Sequence, residues 1–380
     1  MKLNLTADIN SLDWKGRNRR RLLRRLNLDI PLLLGLLAIA LLGLVILYSA
    51  GRQDLDLLLR QGIRLSLGFL VMLVLAQVPP NYLRLWTPWI FLGGVLLLVA
   101  VLVAGEIGKG AQRWLDLGVV RFQPSELMKI AVPMMMAWYF ASRPLPPQLG
   151  DLVIGALITL IPFLLIVKQP DLGTALLVAC SGIFALFLAG LSWKIILGLG
   201  GMTVIIAPLF WTLGMHDYQR QRVLTFLDPE TDPLGAGYHI IQSKIAIGSG
   251  GFYGKGWLNG TQSQLEFLPE SATDFIFAVF AEEFGLIGLC LLLTLYFFLI
   301  ARSLYIATQA SDVYTRLLAG SLALIFFVYV FVNTGMVSGL LPVVGLPLPL
   351  ISYGGTSLIT IMAGFGILMS VYSHRRPGFR

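Results

Sequence analysis

The segment TQSQLEFLPESATDFIFAVFAEEFG, residues 261–285, decides how the rest of the chain is organised. It closes the long polar stretch that separates two groups of apolar runs. It holds five of the 20 acidic residues of the chain: Glu266, Glu270, Asp274, Glu282 and Glu283. Asp274 stands directly before FIFAVFA, at the predicted edge of a membrane helix. An ionisable group at that depth is costly unless it is partnered or functional, so Asp274 is the first candidate for a reactive group.

The composition is that of a helical membrane protein. Of the 380 residues, 57% are hydrophobic and 13% are charged, against about 25% charged in a typical soluble domain. Uncharged runs of about 20 residues, the length that crosses a bilayer, recur along the chain. These runs are apolar all round, whereas the strands of a membrane barrel alternate polar and apolar residues. The sequence therefore predicts an all-α, polytopic membrane fold.

About ten apolar segments have the length of a transmembrane helix. They are predicted at residues 30–50, 62–79, 85–105, 124–141, 152–168, 172–191, 194–213, 275–300, 315–337 and 354–373, each end to within about three residues. Ten spans return Arg375, Arg376 and Arg380 to the side of the basic N-terminal tail, residues 1–28. Because basic flanks are typical of the cytoplasmic side, both termini are predicted to be cytoplasmic.

The polar segments are unequal on the two sides of this topology. Residues 106–123 and the large loop 214–274 are predicted to be extracytoplasmic. Long loops are usually functional or disordered, and the aromatic residues of GSGGFYGKGWLNG favour a packed loop. No internal repeat is visible, so residues 1–380 are predicted to form one membrane domain.

The uncharged run at residues 317–373 is too long for one helix. Prolines and glycines interrupt it between residues 338 and 353, which are therefore predicted to be irregular or re-entrant. Non-helical backbone at membrane depth is tolerated only against protein or a water-filled cavity.

Two interpretations of Asp274 follow from its position. As a general base, its carboxylate would take a proton from a hydroxyl group. As a helix N-cap, it would accept hydrogen bonds from free backbone N–H groups and favour the helix dipole. The two roles compete, because a carboxylate engaged by backbone amides is a weaker base.

A second group of candidates surrounds the start of the fourth predicted span. The residues PSE at 124–126 are a helix-start pattern. Glu126 and Lys129 are three residues apart and share one helix face. Their charges either neutralise each other inside the bundle or line a cavity. Arg113, in the preceding loop, either is solvated or offers a bidentate fork to an anion such as a diphosphate.

Two further candidates lie before or within later helices. Asp171 in KQPDLGTA precedes a predicted helix, so capping is the strong alternative to a functional role. Lys244 in HIIQSKIAIGSGG is a possible phosphate contact, although a glycine-rich turn alone is a weak phosphate signal.

No cofactor is predicted. Cys180 and Cys290 fall inside apolar runs, and the histidines are scattered. A divalent cation is an alternative that no ligand motif supports, since Asp228 and Asp232 are typical of turns beside proline. The net charge of +8 does not indicate nucleic acid, because eight basic residues lie in the first 25 and form a membrane-facing tail.

Four motifs carry a resemblance to a known family. FLPESATDFIFAVFAEEFG, QPSELMK, KQPDLGTA and NTGMVSGLLPVVGLPLPLISYGGTS (residues 333–357) together resemble the SEDS family of bacterial cell-wall membrane proteins. Within that family, KGWLNGTQSQLEFLPE is similar to the rod-shape branch rather than the division branch.

The resemblance implies a peptidoglycan glycosyltransferase. Such proteins transfer a growing lipid-linked glycan onto lipid II, a disaccharide-pentapeptide on a polyprenyl diphosphate. The resemblance places the reaction at the outer face of the bacterial cytoplasmic (inner) membrane during cell elongation. The implied partners are lipid II, the nascent glycan strand, a class B penicillin-binding protein that acts as transpeptidase, and other membrane proteins of the elongation complex.

The family motifs also assign roles to residues of this chain. The essential acid falls on Asp274, the predicted catalytic residue. The predicted substrate-binding residues are Glu266, Arg113, Glu126, Lys129, Asp171, Lys244 and Ser352. The family commonly has histidine two residues before the essential acid, and this chain has Ala272 there.

A single displacement fits these groups. One carboxylate activates the acceptor hydroxyl, and Arg113, Lys129 and Lys244 are candidates to stabilise the leaving diphosphate. An inverting transfer needs one base rather than the two carboxylates of glycoside hydrolysis. Two other classes stay open: a flippase for lipid-linked sugars, whose polar groups would be distributed across the membrane depth, and a non-enzymatic scaffold for a penicillin-binding protein.

Overall fold

The computed structural model describes residues 27–108, 111–116, 121–209, 211–212, 217–232, 235–265, 267–268 and 270–375. The helices are α1 Ile30–Ala50, α2 Leu55–Gln77, α3 Pro80–Ala104, α4 Pro124–Phe140, α5 Leu149–Lys168, α6 Leu172–Leu188, α7 Trp193–Leu209, α8 Asp217–Leu227, α9 Ala236–Gly250, α10 Thr261–Gln264, α11 Ile276–Thr308, α12 Val313–Val337 and α13 Thr356–Ser373. The predicted tail at residues 1–28 lies almost wholly outside the described residues, as do Glu266, Arg376 and Arg380.

Each of the ten predicted spans corresponds to one helix, namely α1 to α7 and α11 to α13. Seven of these helices are long and apolar enough to cross a membrane, and α4, α6 and α7 have 17 residues each. The predicted all-α, polytopic fold is therefore confirmed. The second span begins seven residues before its predicted start because Asp54 caps α2 by accepting the N–H groups of Asp56 and Leu57.

A small antiparallel sheet occupies part of the predicted loop at residues 106–123. Its strands are β1 Glu106–Gly108, β2 Ala111–Asp116 and β3 Arg121–Phe122, in the order β1-β2-β3. Strands of two to six residues are too short to give a visible alternation of polar and apolar residues. The sheet ends directly before α4, so it fixes how the chain enters that helix.

The long helices run alternately up and down, which gives the molecule two sides. We call the side with residues 27 and 375 the terminal side, and the opposite side the loop side. An ion pair fastens the terminal side: Arg302 near the end of α11 donates to the buried Asp29 before α1 at 2.7 Å. The connections after α1, α3, α5, α7 and α12 lie on the loop side.

The apolar interior consists of two clusters. The first joins α1, α2 and α11 to α12 and α13. The second joins α3 to α6 with the same two helices. Since α12 and α13 contribute to both, they form the centre of the bundle. Large apolar side chains are exposed on the outer faces of α1, α2, α3 and α5, as expected for helices in contact with lipid.

Gly285 divides α11 into two parts, because its φ of 64° and ψ of −163° are not helical. Residues 251–256 fill the break. Their N–H groups donate to the carbonyls of Glu282 and Glu283 at 3.0 Å, and Leu286 donates back to the same segment at 2.9 Å. The part after the break has 23 residues, roughly 34 Å at 1.5 Å per residue. The predicted span at 275–300 is therefore corrected: residues 286–308 alone are long enough to cross the membrane.

Replacing Gly285 by alanine is expected to destabilise the protein. The new Cβ would stand 2.8 Å from the Phe252 carbonyl oxygen, and the backbone conformation of Gly285, a positive φ with an extended ψ, costs a side chain about 1–3 kcal/mol in addition. Thermal unfolding in detergent measures the effect. Gly93→Ala, in α3 with nothing within 4 Å of the new Cβ, is the matched control, expected to be neutral or stabilising by up to about 1 kcal/mol. Equal unfolding temperatures for the two variants would contradict the described break.

Candidate functional site

Asp274 lies outside the first turn of α11. The helix begins at Ile276, and the N-cap position is Phe275, which makes no side-chain cap hydrogen bond. Asp274 therefore does not occupy the N-cap position of α11, and the prediction that it is the N-cap is wrong. The side chain is half-buried. Its Oδ2 atom lies 3.5 Å from the point that a Cβ on Gly345 would occupy, so the carboxylate packs directly against the segment between α12 and α13.

Three consecutive backbone carbonyls, those of residues 272–274, are held by the C-terminal third of the chain. They accept, in order, the N–H of Tyr353 at 2.8 Å, the hydroxyl of Ser352 at 2.6 Å and the side-chain amide of Asn333 at 3.0 Å. We call these three hydrogen bonds the carbonyl clamp. The clamp uses backbone oxygens and fixes the main chain at Asp274.

The segment at residues 338–353 has neither helix nor strand, so the prediction of irregular structure is confirmed. The residues of the clamp also hold this segment. Ser352 accepts the N–H of Leu348 at 2.8 Å, and Asn333 donates to the Leu346 carbonyl at 2.7 Å. The Ser352 hydroxyl, a predicted substrate contact, is thus engaged within the protein as donor and as acceptor.

Two side chains of α2 complete this arrangement, and neither was predicted from the sequence. Gln61 donates to the Ser352 carbonyl at 3.2 Å and accepts the Gly354 N–H at 3.4 Å. The Arg64 guanidinium lies 4.4 Å above the centre of the Tyr353 ring. A signal for Arg64 was present, since it falls inside the second predicted span, where an ionisable residue indicates function by default.

Glu126 and Lys129 form the predicted ion pair. Their charged atoms are 2.6 Å apart, and the Lys129 and Glu126 side chains are only 3% and 6% exposed. Lys129 also donates to the Tyr329 hydroxyl at 2.5 Å. The second carboxylate oxygen of Glu126 is buried and has no partner among the described residues. A cavity of about 40 Å³ lined by Lys129 and Tyr329 adjoins the pair, enough for a water molecule.

Arg113 and Asp171, both predicted substrate contacts, tie the loop side together. Arg113 in β2 donates to the Gln169 carbonyl at 3.4 Å and to the Pro170 carbonyl. Asp171 is the N-cap of α6 and accepts the Thr174 N–H at 3.3 Å. It also accepts the side-chain amide of Gln123, the residue before α4, at 2.9 Å. The capping alternative for Asp171 is therefore confirmed.

The irregular segment brings distant predicted residues together. Asp274 faces it at Gly345, as described above. A Cβ on Gly173, in the first turn of α6 beside Asp171, would stand 2.9 Å from the Val344 side chain. Lys244 on α9 reaches the start of the same segment, since its Nζ lies 2.7 Å from the point that a Cβ on the residue at 339 would occupy. The place of Glu266 lies outside the described residues.

His239 on α9 packs against Phe275, the residue that follows the candidate base, and the sequence predicted no role for it. Its ring stacks on Phe275, with the centroids 5.6 Å apart and the planes at 19°. Burial lowers the pKa of the imidazole, and Glu270 and Asp232 act in the opposite direction. The net effect keeps His239 neutral at pH 7, because the ordinary pKa of 6.5 is already below that pH. This imidazole lies against Phe275, the sequence neighbour of Asp274, in a chain that has Ala272 at the family's histidine position.

The two glutamates after Asp274 have structural partners. The Glu282 carboxylate accepts hydrogen bonds from the Lys255 ammonium at 2.7 Å and from the Thr261 N–H at 2.8 Å. Glu283 accepts the Ser49 hydroxyl of α1. They anchor the connection between α9 and α11, which leads to Asp274.

A family profile and several known proteins match this sequence along nearly the whole chain. The profile of the family of FtsW, RodA and SpoVE, described as "Cell cycle protein", matches residues 22–377. The peptidoglycan glycosyltransferase MrdB of Escherichia coli K12 is 56% identical over 362 residues, which cover 94% of this chain and 97% of MrdB. FtsW of Geobacter metallireducens, named a probable peptidoglycan glycosyltransferase, is 38% identical over 356 residues, covering 90% of this chain and 94% of FtsW.

Solved structures share the fold. A chain of a peptidoglycan synthase complex, studied for the coordination of polymerization and crosslinking, superposes with a TM-score of 0.81 at 37% identity, covering 92% of this chain and 98% of that one. The crystal structure of the rod shape determining protein RodA of Thermus thermophilus gives 0.69 at 31% identity, covering 91% and 97%. The predicted resemblance to the SEDS family and to its rod-shape branch is thus confirmed. This chain belongs to the FtsW, RodA and SpoVE family of multi-pass membrane proteins.

Proposed function

We propose that this protein polymerises peptidoglycan glycan strands from lipid II, with Asp274 as the general base. The predicted enzyme class, a peptidoglycan glycosyltransferase, is confirmed by relatives at 56% and 38% identity. The observation that supports the base is the carbonyl clamp, which fixes the main chain of residues 272–274 through Tyr353, Ser352 and Asn333. A half-buried carboxylate on a fixed backbone meets the positional demand of general base catalysis.

The reaction is a single displacement. The acceptor sugar hydroxyl of lipid II transfers its proton to the Asp274 carboxylate while its oxygen bonds to the anomeric carbon of the growing chain. The bond from that carbon to the polyprenyl diphosphate breaks, and the diphosphate leaves with the electron pair. One base and one leaving group give inversion at the anomeric carbon.

Arg64 is a better candidate than Arg113 for a contact with the diphosphate. Arg113 already donates to two backbone carbonyls, and Lys129 is paired with Glu126. Arg64 stacks on Tyr353 and, among the described residues, has no carboxylate within ion-pair distance. A guanidinium with five N–H donors matches the oxygens of a diphosphate. Lys244 keeps its predicted role as a further cation at the irregular segment.

We place the protein in the bacterial inner membrane with its terminal side in the cytoplasm. The basic residues at both ends support this orientation. The loop side, with Asp274 and the connection between α7 and α11, would then face the outside, where both lipid-linked substrates are confined to two dimensions. The whole chain acts as one domain in this proposal.

The proposed partner is a class B penicillin-binding protein, together with other membrane proteins of the elongation complex. The similar chain in a peptidoglycan synthase complex that coordinates polymerization with crosslinking supports a partner that crosslinks. No cofactor is proposed. A divalent cation stays an alternative, although the described residues contain no group of three His, Cys, Asp or Glu side chains suited to one.

The distribution of polar groups favours an enzyme over a flippase. Glu126 and Lys129 lie in the first two turns of α4, and Asp171 lies directly before α6. All three are therefore at the loop-side ends of their helices. A flippase needs polar groups through the membrane depth. The candidate residues instead gather on the side of Asp274.

Asp274→Asn is expected to lower the rate of glycan synthesis by about 10²–10⁴-fold, because the amide cannot accept the proton. The purified protein is incubated with lipid II, and the strands are separated on a gel. Asp56→Asn, an exposed acid in the first turn of α2, is the control and is expected to keep full activity. Unchanged strands from Asp274→Asn would remove this residue from the mechanism.

Asn333→Leu is expected to lower kcat by about 10–100-fold with little change in KM. The substitution removes the amide that holds the carbonyls of Asp274 and Leu346, and a displacement of about 1 Å costs up to 10² in rate. Steady-state kinetics and thermal unfolding are measured on the same preparation. A loss of activity that only follows the loss of folded protein would contradict the positioning role.

The buried pair of α4 separates stability from activity. Lys129→Met leaves the Glu126 carboxylate buried and unpaired, which is expected to cost about 3–5 kcal/mol, whereas Glu126→Leu with Lys129→Met restores most of the loss. If the pair also serves the substrate, the double variant folds but makes few glycan strands. A stable double variant with full activity would show that the pair is structural only.

A further inference from the structure

A second cavity opens on the terminal side, at the opposite end of the bundle from Asp274. Its volume is about 470 Å³, and the start of α3, the end of α4, the end of α11 and the start of α12 surround it. A water molecule occupies about 30 Å³ in the liquid. The cavity therefore accommodates a chemical group much larger than water, and nothing in the proposed polymerase reaction uses it.

The cavity has a positive lining. Arg84 and Arg316 both line it and both are exposed. Within the described part of the chain neither guanidinium lies within ion-pair distance of a carboxylate. The acid of the lining, Asp312, caps α12 and accepts the Thr315 N–H at 2.8 Å and its hydroxyl at 3.0 Å. Two cations and one engaged carboxylate favour an anionic occupant.

A buried acceptor adds to the chemistry of the cavity. Gln309 lines it, and the Oε1 atom of Gln309 is buried with no partner among the described residues. A buried carbonyl oxygen without a hydrogen bond is costly. An occupant that carries hydroxyl groups beside its negative charge would satisfy it after a rotation of the Gln309 side chain, which lines the cavity.

The exposed aromatic residues around Arg84 indicate the depth of the cavity in the membrane. Tyr82, Trp86 and Trp89 on the first turns of α3 are 58%, 58% and 67% exposed. Tyrosine and tryptophan are enriched where the bilayer meets water, at the level of the lipid headgroups. The mouth of the cavity therefore lies where a phospholipid phosphate would stand.

We propose that this cavity binds the headgroup of an anionic phospholipid with headgroup hydroxyls, of the phosphatidylglycerol type. Arg84 and Arg316 contact the phosphate, and the Gln309 side chain turns its amide oxygen toward the cavity to accept a headgroup hydroxyl. The acyl chains lie along the apolar outer face of α3. Tyr314, a lining residue, already joins α12 to α3 through its hydrogen bond with Thr87 at 2.9 Å. A bound headgroup adds a second connection between the same two helices, so lipid binding stabilises the fold.

The test uses the full chain in nanodiscs of phosphatidylcholine, with and without phosphatidylglycerol. Phosphatidylglycerol is expected to raise the unfolding temperature, because a ligand that binds only the folded state stabilises it by mass action. Arg84→Gln with Arg316→Gln is expected to weaken the affinity by about 30-fold, since each arginine near an anionic headgroup contributes about fivefold. Native mass spectrometry counts the lipids that stay bound.

Arg143→Gln is the matched control, because Arg143 lies on the same side but outside the cavity lining, 3.7 Å from Asp151. It is expected to keep the response to phosphatidylglycerol. The basic tail is unchanged in every variant, so the difference between variants reports on the cavity alone. The double variant must unfold like the wild type in pure phosphatidylcholine, which shows that it is folded.

Two results would overturn the proposal. One is an equal response of the wild type and the double variant to phosphatidylglycerol. The other is full stabilisation of the wild type by inorganic phosphate in phosphatidylcholine discs, which would assign the cavity to free phosphate instead of a lipid. A response to the lipid that the double variant loses and phosphate does not reproduce supports the lipid site.

Discussion

The fold depends on the need of buried backbone polar groups for hydrogen-bond partners in an apolar environment. Between α12 and α13 the chain runs for eighteen residues without helix or strand, so helical hydrogen bonding cannot satisfy its peptide groups. Asn333, Ser352 and Gln61 take over that role through their side chains. Two of them also bind the carbonyls of residues 273 and 274. The same bonds therefore hold the irregular segment and the main chain of Asp274, which couples the position of the candidate base to the integrity of the bundle centre.

The broken helix α11 solves the same problem in a different way. At Gly285 the helical bonds stop, and the peptide groups on both sides of the break pair with residues 251–256. Glu282, shortly before the break, also accepts hydrogen bonds from Lys255 and Thr261, which holds the chain that follows residue 254. The connection between α9 and α11 is consequently part of the bundle rather than a loop outside it. The chain leading to Asp274 therefore starts from a fixed point, which is why Glu282 and Glu283, eight and nine positions away in the sequence, matter to the geometry of the site.

Hydropathy and local spacing predicted what local physics determines. The ten spans, the irregular segment, the Glu126–Lys129 pair and the cap at Asp171 all depend on residues within a few positions of one another. The carbonyl clamp joins residues 59, 79 and 81 positions apart, and no spacing rule connects them. The break at Gly285 was not predicted, because an isolated glycine is tolerated in a helical pattern and residues 251–256, which fill the break, lie far from it in the sequence. Arg64 was not predicted for another reason. Its position inside a span was a signal, but the predicted span began at residue 62 and so placed Arg64 at the edge of the helix instead of in its interior.

Charges serve different purposes on the two sides of the molecule. On the terminal side Arg302 pairs with the buried Asp29, which neutralises both where the helices converge. On the loop side, the glutamates after the candidate base accept hydrogen bonds from neighbouring N–H and hydroxyl groups. The clamp instead binds the backbone carbonyl of Asp274. A carboxylate can act as a base only if the bonds that position the residue do not stabilise its charge. Positioning through the main chain is consistent with that condition, because the clamp's hydrogen bond goes to the backbone oxygen of Asp274 and not to its carboxylate.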